Sequence, residues 1–477
     1  MCRGGGALTG AGAIMGGVRR AAALWLVLFA AYAATIGLPA LGSSQFAGDE
    51  PHYLLTAESI VSDRDLDLRD ELATLAYRDW YPYVLERHGR LTNGQANEPT
   101  GAGFALLIAP GYAIGGPLAV QLLLAAIAAL AFVLAAVLAR RIVPEPWATA
   151  AALACGLSPP ALAYSTTVTP ELTAGALLVA AAVLALKVRE LPRIRWVAGA
   201  ALALGGLPWL GLQFTVAGLV VALAMLRWLR RRARGFALLV EIEVLLFSVV
   251  MFVTINDQLY GGFTPAAAMV AGDRLDALGA AEFLDRAPRL VALWLDRDYG
   301  ALRWAPLLAL AFYALWLLWR SRRDHIARIL PERALVEVAA TLCALVCAAQ
   351  VLVATFVAPT MFGFFFPGRY LLAALPVAVA LVAWGMRQAA RVAAALAAVT
   401  LVTSIWWYAE LRFGGAAIVG AGGPGSRAPL GPLDAALPLF GTDSAGEAIA
   451  IAAVGTALLA LVGNEWRRAR AIGSAAD

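Results

Sequence analysis

Short arginine clusters cut this chain into a succession of apolar runs, most of them near the length needed to cross a bilayer. About twenty helical residues at ~1.5 Å rise cover the ~30 Å of hydrocarbon. Such runs fall at about 21–41, 117–139, 147–163, 168–187, 194–208, 212–229, 235–255, 304–320, 334–356, 369–387, 391–409 and 446–463. With 61% apolar and 14% charged residues, the chain has too little polar surface to clothe a soluble globule. The reading is an all-α, polytopic membrane protein of about twelve transmembrane helices.

The basic residues set its orientation. Arg19-Arg20, Arg140-Arg141, Lys187 to Arg195, Arg227 to Arg234, Arg320 to Arg333, Arg387 to Arg391 and Arg467 to Arg470 all fall at alternate ends of the runs, on one side. Basic residues flanking short loops are retained in the cytoplasm, so both termini are expected there. Aromatic residues mark the opposite ends: Trp209, Tyr260 and Trp406-Trp407-Tyr408. The net charge of +5 therefore reports topology, and nucleic acid is not an expected partner. Cys2, Cys155, Cys343 and Cys347 show neither a disulfide framework nor zinc spacing.

The expected organisation is a disordered cytoplasmic segment over 1–18, one membrane domain over 19–463 and a cytoplasmic tail over 464–477. Within the membrane domain the outer loops are 42–116, 256–303 and a Gly-rich one over 410–445. In the first, Pro51 suits the opening turn of a helix, and Leu54, Ala57 and Val61 with Leu55 and Glu58 read as an amphipathic helix on the membrane surface. Phe104 to Gly116, broken by Pro110, Gly111, Gly115 and Gly116, is too short to span and reads as a second interfacial or re-entrant piece.

Acidic residues collect outside. Asp49 and Glu50 stand at the N-terminus of that first helix, where burial would raise a carboxylate pKa toward that of a general base and the helix dipole would lower it. A helix cap beside a solvated acid explains the pair equally. His52 shares a helix face with Asp49, so Asp49, Glu50 and His52 are candidate ligands for a divalent cation, with no second His in reach by sequence. Asp63, Asp65 and Asp67 alternate as in a calcium loop, but Leu68 and Thr74 stand where such a loop needs Gly and Glu. The Gly-rich stretch 420–431 has no preceding strand and no Gly-Lys-Ser/Thr, so it is not a phosphate loop. Outer-side arginines are rarer: Arg297 and Arg303 flank Asp298-Tyr299-Gly300, and Arg369 follows Pro367-Gly368. An arginine at that depth meets an anion such as a phosphate, a lipid headgroup or a neighbouring acid such as Asp296.

The ordered series Gly48-Asp49-Glu50-Pro51-His52-Tyr53-Leu54, Gly101 to Pro110 with Gly115-Gly116, Ser158-Pro159-Pro160 then Pro170-Glu171-Leu172, Leu207-Pro208-Trp209, Asp296-Arg297-Asp298-Tyr299-Gly300 with Pro306, and Pro367-Gly368-Arg369-Tyr370-Leu371 resembles bacterial GT-C glycosyltransferases. That superfamily includes the aminoarabinose transferases of lipid A and the protein O-mannosyltransferases. The resemblance covers nearly the whole chain and is specific for superfamily, not for substrate. It implies a sugar donor on a polyprenyl phosphate and a lipid or envelope-glycan hydroxyl as acceptor, at the outer face of the plasma membrane. Carried over by position, Asp49 is the base with Glu50 its neighbour, and Arg369, with Arg297 or Arg303, holds the donor phosphate. His52, Tyr53, Glu171, Trp209, Asp298 and Tyr299 stand in the same motifs as expected substrate contacts. Thr100-Gly101 departs from the Pro-Pro-Gly or Lys-Tyr-Pro-like run of many relatives.

A multi-span transporter or lipid-linked glycan flippase is the reading from another class. It would show mid-membrane charges and repeated halves, whereas the runs here are nearly free of charge apart from Glu241 and Glu243. An outer-face glycan polymerase shares the compartment and the lipid-linked substrate. The orientation is testable: a cysteine introduced as Thr92→Cys is expected to react with an impermeant thiol reagent on intact cells, and protection from it would reverse every outer-face assignment.

Overall fold

The computed structural model describes residues 6–269, 280–324, 331–363, 365–420, 423–424 and 436–473. Phe364, Asp434 and most of the Gly-rich 420–431 stretch lie outside them. The described residues are mostly helical, with almost no strand. In order come α1 (Gly6–Ala33), α2 (Glu50–Ser62), α3 (Arg69–Thr74), α4 (Ala102–Ala139), α5 (Trp147–Gly156), α6 (Pro159–Tyr164), α7 (Glu171–Glu190), α8 (Ile194–Gly205), α9 (Leu207–Leu210) and α10 (Thr215–Arg231). Then follow α11 (Gly235–Tyr260), α12 (Ala280–Leu284), α13 (Arg289–Leu295), α14 (Ala301–Trp304), α15 (Ala309–Arg323), α16 (Pro331–Leu352), α17 (Leu375–Gln388), α18 (Ala390–Phe413) and α19 (Ser444–Gly473). One two-residue strand pair, Val419–Gly420 with Gly423–Pro424, is antiparallel. Residues 6–18, read from composition as disordered, form the first turns of α1.

Each apolar run is helical, and seven helices among the described residues are long and apolar enough to cross a membrane. Two shorter apolar helices are cut by breakers visible in the sequence. Ser158-Pro159-Pro160 parts α5 from α6, because proline lacks the amide that the helix ladder needs. Gly206 and Pro208 part α8 from α9 in the same way.

Burial separates inner helices from lipid-facing ones. In α17 eleven residues from Leu375 to Met386 are buried, against α4, α5, α7, α15, α16 and α18. α7 is enclosed by α4, α8, α10 and α17. By contrast α11 exposes Leu239, Phe247, Val249 and Val250, and α19 exposes Ile449, Leu458 and Leu459, as hydrocarbon-facing helices do. The basic ends meet: Arg141 pairs with Glu190, and Arg323 Nη1 lies 2.9 Å from Glu465 Oε2. Glu171 opens α7 at its other end, while Lys187 and Arg189 close it.

α4 is two helices joined at a bend, since Gly115 (φ −163°, ψ 31°) and Gly116 (φ 59°, ψ −150°) leave the helical region. The left-handed φ of Gly116 is one that only glycine adopts freely. The first half packs along α2. That packing changes the expected character of α2: instead of lying half-exposed on the surface, nine of its thirteen residues are buried, Glu50 and His52 included. A polar helix is thus carried into the protein interior beside the membrane domain.

Helices approach closely where glycine stands. A Cβ built on Gly385 of α17 would lie 2.5 Å from the Leu310 carbonyl oxygen of α15, a backbone atom that cannot turn aside. Gly385→Ala is expected to cost about 1–3 kcal/mol and lower the thermal midpoint in detergent. Gly455→Ala on α19, where a Cβ meets nothing within 4 Å, is expected to leave it unchanged or raise it slightly.

Candidate active site

Three segments distant in sequence converge on one guanidinium. Gly368, at φ 88°, takes a left-handed conformation that releases Arg369 into a 3-10 turn ahead of α17. Arg369 Nε donates to Glu171 Oε1 at 2.7 Å and Nη2 to Asp49 Oδ2 at 2.7 Å. Its guanidinium also lies 5.7 Å from the Phe365 ring centre. Glu171 is fully buried at the start of α7, and about a third of the Asp49 side chain is accessible, so the bridge runs from interior to surface. Two of the five N–H donors of the arginine are engaged in these bonds, and Nη1 remains for a third anionic group.

Asp49 occupies the N-cap position of α2, yet its side chain makes no capping bond. Burial favours its protonated form, but the Arg369 charge and hydrogen bond outweigh burial and hold the carboxyl below the usual Asp range. Glu50 points elsewhere, as a neighbour about 100° round a helix must. Its Oε1 accepts from the Ala47 amide at 3.0 Å and its Oε2 from the Val168 amide at 2.8 Å. Burial pushes Glu50 up to about 8 despite those two amides, which leaves it largely protonated at neutral pH. Glu50 therefore ties the start of α2 to the loop between α6 and α7, while Asp49 is the charged group that faces out.

The cleft at this point is lined by Asp49, Glu50, Tyr164, Thr167, Phe365 and Arg369, and its volume is about 30 Å³. It has room for a water or two, so a sugar enters only if the walls part. On the other side of Gly368 an apolar cleft of about 60 Å³ is lined by Pro160, Trp294, Val351, Leu371, Leu372 and Leu375.

The other sequence candidates are distributed around this centre. Tyr53 is buried edge-on against Phe104, ring centres 4.9 Å apart. Trp209 packs on Phe252 and lines a cavity of about 130 Å³ that shares no residue with the Asp49 cleft. Arg297 donates from Nε to the Leu437 carbonyl at 3.0 Å. Arg303 lies 3.4 Å from Asp298 Oδ1 and donates to the Arg297 carbonyl. Asp296 accepts from the amides of Asp298, Tyr299 and Phe440 and so organises its own turn. Tyr299 donates to the Gly363 carbonyl at 2.7 Å and packs on Phe365, the ring beneath Arg369. The structure thus joins Arg369 to Asp49 and Glu171 directly, and to the 296–303 turn through Phe365.

The suggested Asp49, Glu50 and His52 ligand set does not converge. The two carboxylates are engaged by Arg369 and by backbone amides, and His52 turns to groups that sequence spacing did not suggest. Its Nδ1 lies 3.1 Å from Glu98 Oε2, and His88 Nδ1 lies 3.0 Å from Glu98 Oε1. The only sequence cue was that the chain has three histidines in all.

No family model matches the chain, and no curated protein matches it. Among solved structures, the chain is similar to ArnT from Cupriavidus metallidurans in the apo state, with a TM-score of 0.49 and 14% identity, over 84% of this chain and 65% of that one. For the same protein bound to undecaprenyl phosphate the TM-score is 0.47 and the identity 14%, over 81% and 71%. An Archaeoglobus fulgidus oligosaccharyltransferase, in complex with Zn and sulfate, gives 0.43 and 13%, over 81% and 52%. The chain spans about two thirds of the ArnT apo chain's length.

Removing one partner from a buried ion pair leaves the other uncompensated, at about 3–5 kcal/mol. Arg369→Gln, which strands the fully buried Glu171, is expected to lower the thermal midpoint in detergent by more than Asp49→Asn, which removes the accessible end. Equal effects would show that Arg369 is not the shared anchor.

Proposed function

We propose that this protein is a membrane glycosyltransferase that moves a sugar from a polyprenyl-phosphate donor to a lipid or envelope-glycan hydroxyl at the outer face of the plasma membrane. The single observation that carries the reading is the Asp49–Arg369–Glu171 cluster. It joins three of the motifs whose order along the chain resembles GT-C enzymes, and it offers one accessible carboxylate at the end opposite the arginine-rich helix termini.

In this reading Asp49 is the catalytic base. Arg369 keeps it ionised, so it accepts a hydrogen bond from the attacking hydroxyl. Its low basicity means that the proton moves late, as the new bond to the anomeric carbon acidifies that hydroxyl. Phosphate is a good leaving group once its charge is met, and in this reading Arg369 Nη1, not used by Glu171 or Asp49, meets it. Glu171 is a positioning residue, holding the guanidinium from behind. The apolar cleft beyond Gly368 suits the first isoprene units of the carrier, because its walls carry almost no polar surface. An enzyme outside the cell has no nucleotide supply, so an activated sugar must arrive on a lipid. One base and one displacement imply inversion at the anomeric carbon.

The test compares polar lipids by mass spectrometry from cells without the gene, with it, and with Asp49→Asn. A polyprenyl-phosphate sugar is expected to accumulate without the gene and with Asp49→Asn, since a lost general base costs about 10²–10⁴-fold in rate. NMR of the product is expected to show the anomeric configuration opposite to the donor's. An unchanged lipid-linked pool in all three strains would overturn the donor assignment and favour a transport role.

A further inference from the structure

We propose that His52, His88 and Glu98 form a binding site for one divalent cation of the zinc class, less than one turn along α2 from Asp49. His52 lies on α2, and His88 and Glu98 on the loop between α3 and α4. Their three ligand atoms lie within 4.8 Å of one another.

The geometry suits that cation. Each imidazole turns its Nδ1 to a different oxygen of one carboxylate, at 3.1 and 3.0 Å. Around a tetrahedral zinc with bonds of about 2.0–2.2 Å, neighbouring ligand atoms stand about 3.4 Å apart. Each nitrogen–oxygen pair is within a few tenths of an ångström of that separation, and the whole set, spread over no more than 4.8 Å, can gather round one ion. The ring centres are 3.7 Å apart at 33°, so two imidazolium charges would repel at close range, whereas two neutral imidazoles can bind one metal. Glu98 and His52 are buried, at 3% side-chain exposure for the one and 4% for the other, while His88 is 43% accessible. The buried pair makes a half-site held by the fold, and the accessible part of His88 is where solvent reaches it. Two imidazoles and a carboxylate with one position left open form the ligand class of zinc sites that keep a water. Oxygen-only cations such as calcium and magnesium are poorly served by two nitrogens.

The site itself does not depend on the glycosyl-transfer reading. A consequence that does rest on that reading concerns charge: Asp49, Glu171 and Arg369 together carry one net negative charge, and a nearby dication would offset its repulsion of an anionic donor.

The experiment uses the full-length protein in detergent, stripped with chelator and desalted. Zn²⁺ binding is followed by calorimetry and by elemental analysis, and Co²⁺ binding by its visible ligand-field absorption. Wild type is expected to take up about one Zn²⁺ per chain and to give the intense spectrum of four-coordinate Co²⁺. His88→Ala, at the accessible ligand, is expected to remain folded by size exclusion and to lose at least ~10-fold in affinity with the Co²⁺ spectrum collapsed. Glu98→Gln is the second variant, and Asp79→Asn, at an exposed acid elsewhere in the loop, is the control that should bind as wild type. No uptake by wild type, or uptake unchanged in both His88→Ala and Glu98→Gln, would overturn the site. Neither result bears on the lipid analysis, so the two proposals can fail separately.

Discussion

One guanidinium holds three distant segments of this protein together. Arg369 reaches back to Glu171 in the interior and forward to Asp49 near the surface. A fully buried carboxylate such as Glu171 is tolerable only with a counter-charge in hydrogen-bond contact. The planar fork of arginine can serve two carboxylates at once, which the ammonium of lysine cannot do with the same geometry. The burial of Glu171 at the first residue of α7 thus dictates where Arg369 sits, and Arg369 dictates the state of Asp49.

The helices supply the rigidity this requires. α7 and α17 are packed on several sides, so their first residues are fixed relative to each other. Gly175 of α7 lies against Pro376 and the Ala373 carbonyl, where a Cβ would come within 3.1 and 3.2 Å. This close approach brings Glu171, one turn earlier, beside the turn that carries Arg369. The left-handed Gly368 then reverses the chain into that turn.

α2 reaches the site by a different means. It carries Glu50, His52, Thr56 and Ser59 into buried positions, and each finds a partner: amides for Glu50, Glu98 for His52, the His52 carbonyl for Thr56 and Asp65 for Ser59. Buried polar groups that are fully partnered specify one arrangement, since any shift of the helix would strand them. The same network places the His52–His88–Glu98 cluster and the Asp49 carboxylate on neighbouring turns.

The helical class, the positions of the apolar runs and the breaks at Ser158-Pro159-Pro160, Gly206 to Pro208 and Gly115-Gly116 were determined by the sequence itself, because length, hydropathy and backbone restriction are local properties. Asp49, Glu171 and Arg369 could be singled out one by one, since a charge beside a membrane span is costly and stands out. Their union could not be seen: Arg369 is 320 residues from Asp49 and 198 from Glu171, and no spacing rule reaches that far. Nor could α2 be placed, because its alternation of polar and apolar residues suits a surface helix as well as one whose polar groups are all partnered inside. His88 and Glu98 carried no local signal, being single residues in an irregular loop. Only the tertiary structure brought them to His52, because which buried polar groups meet is decided by how the whole chain closes over them.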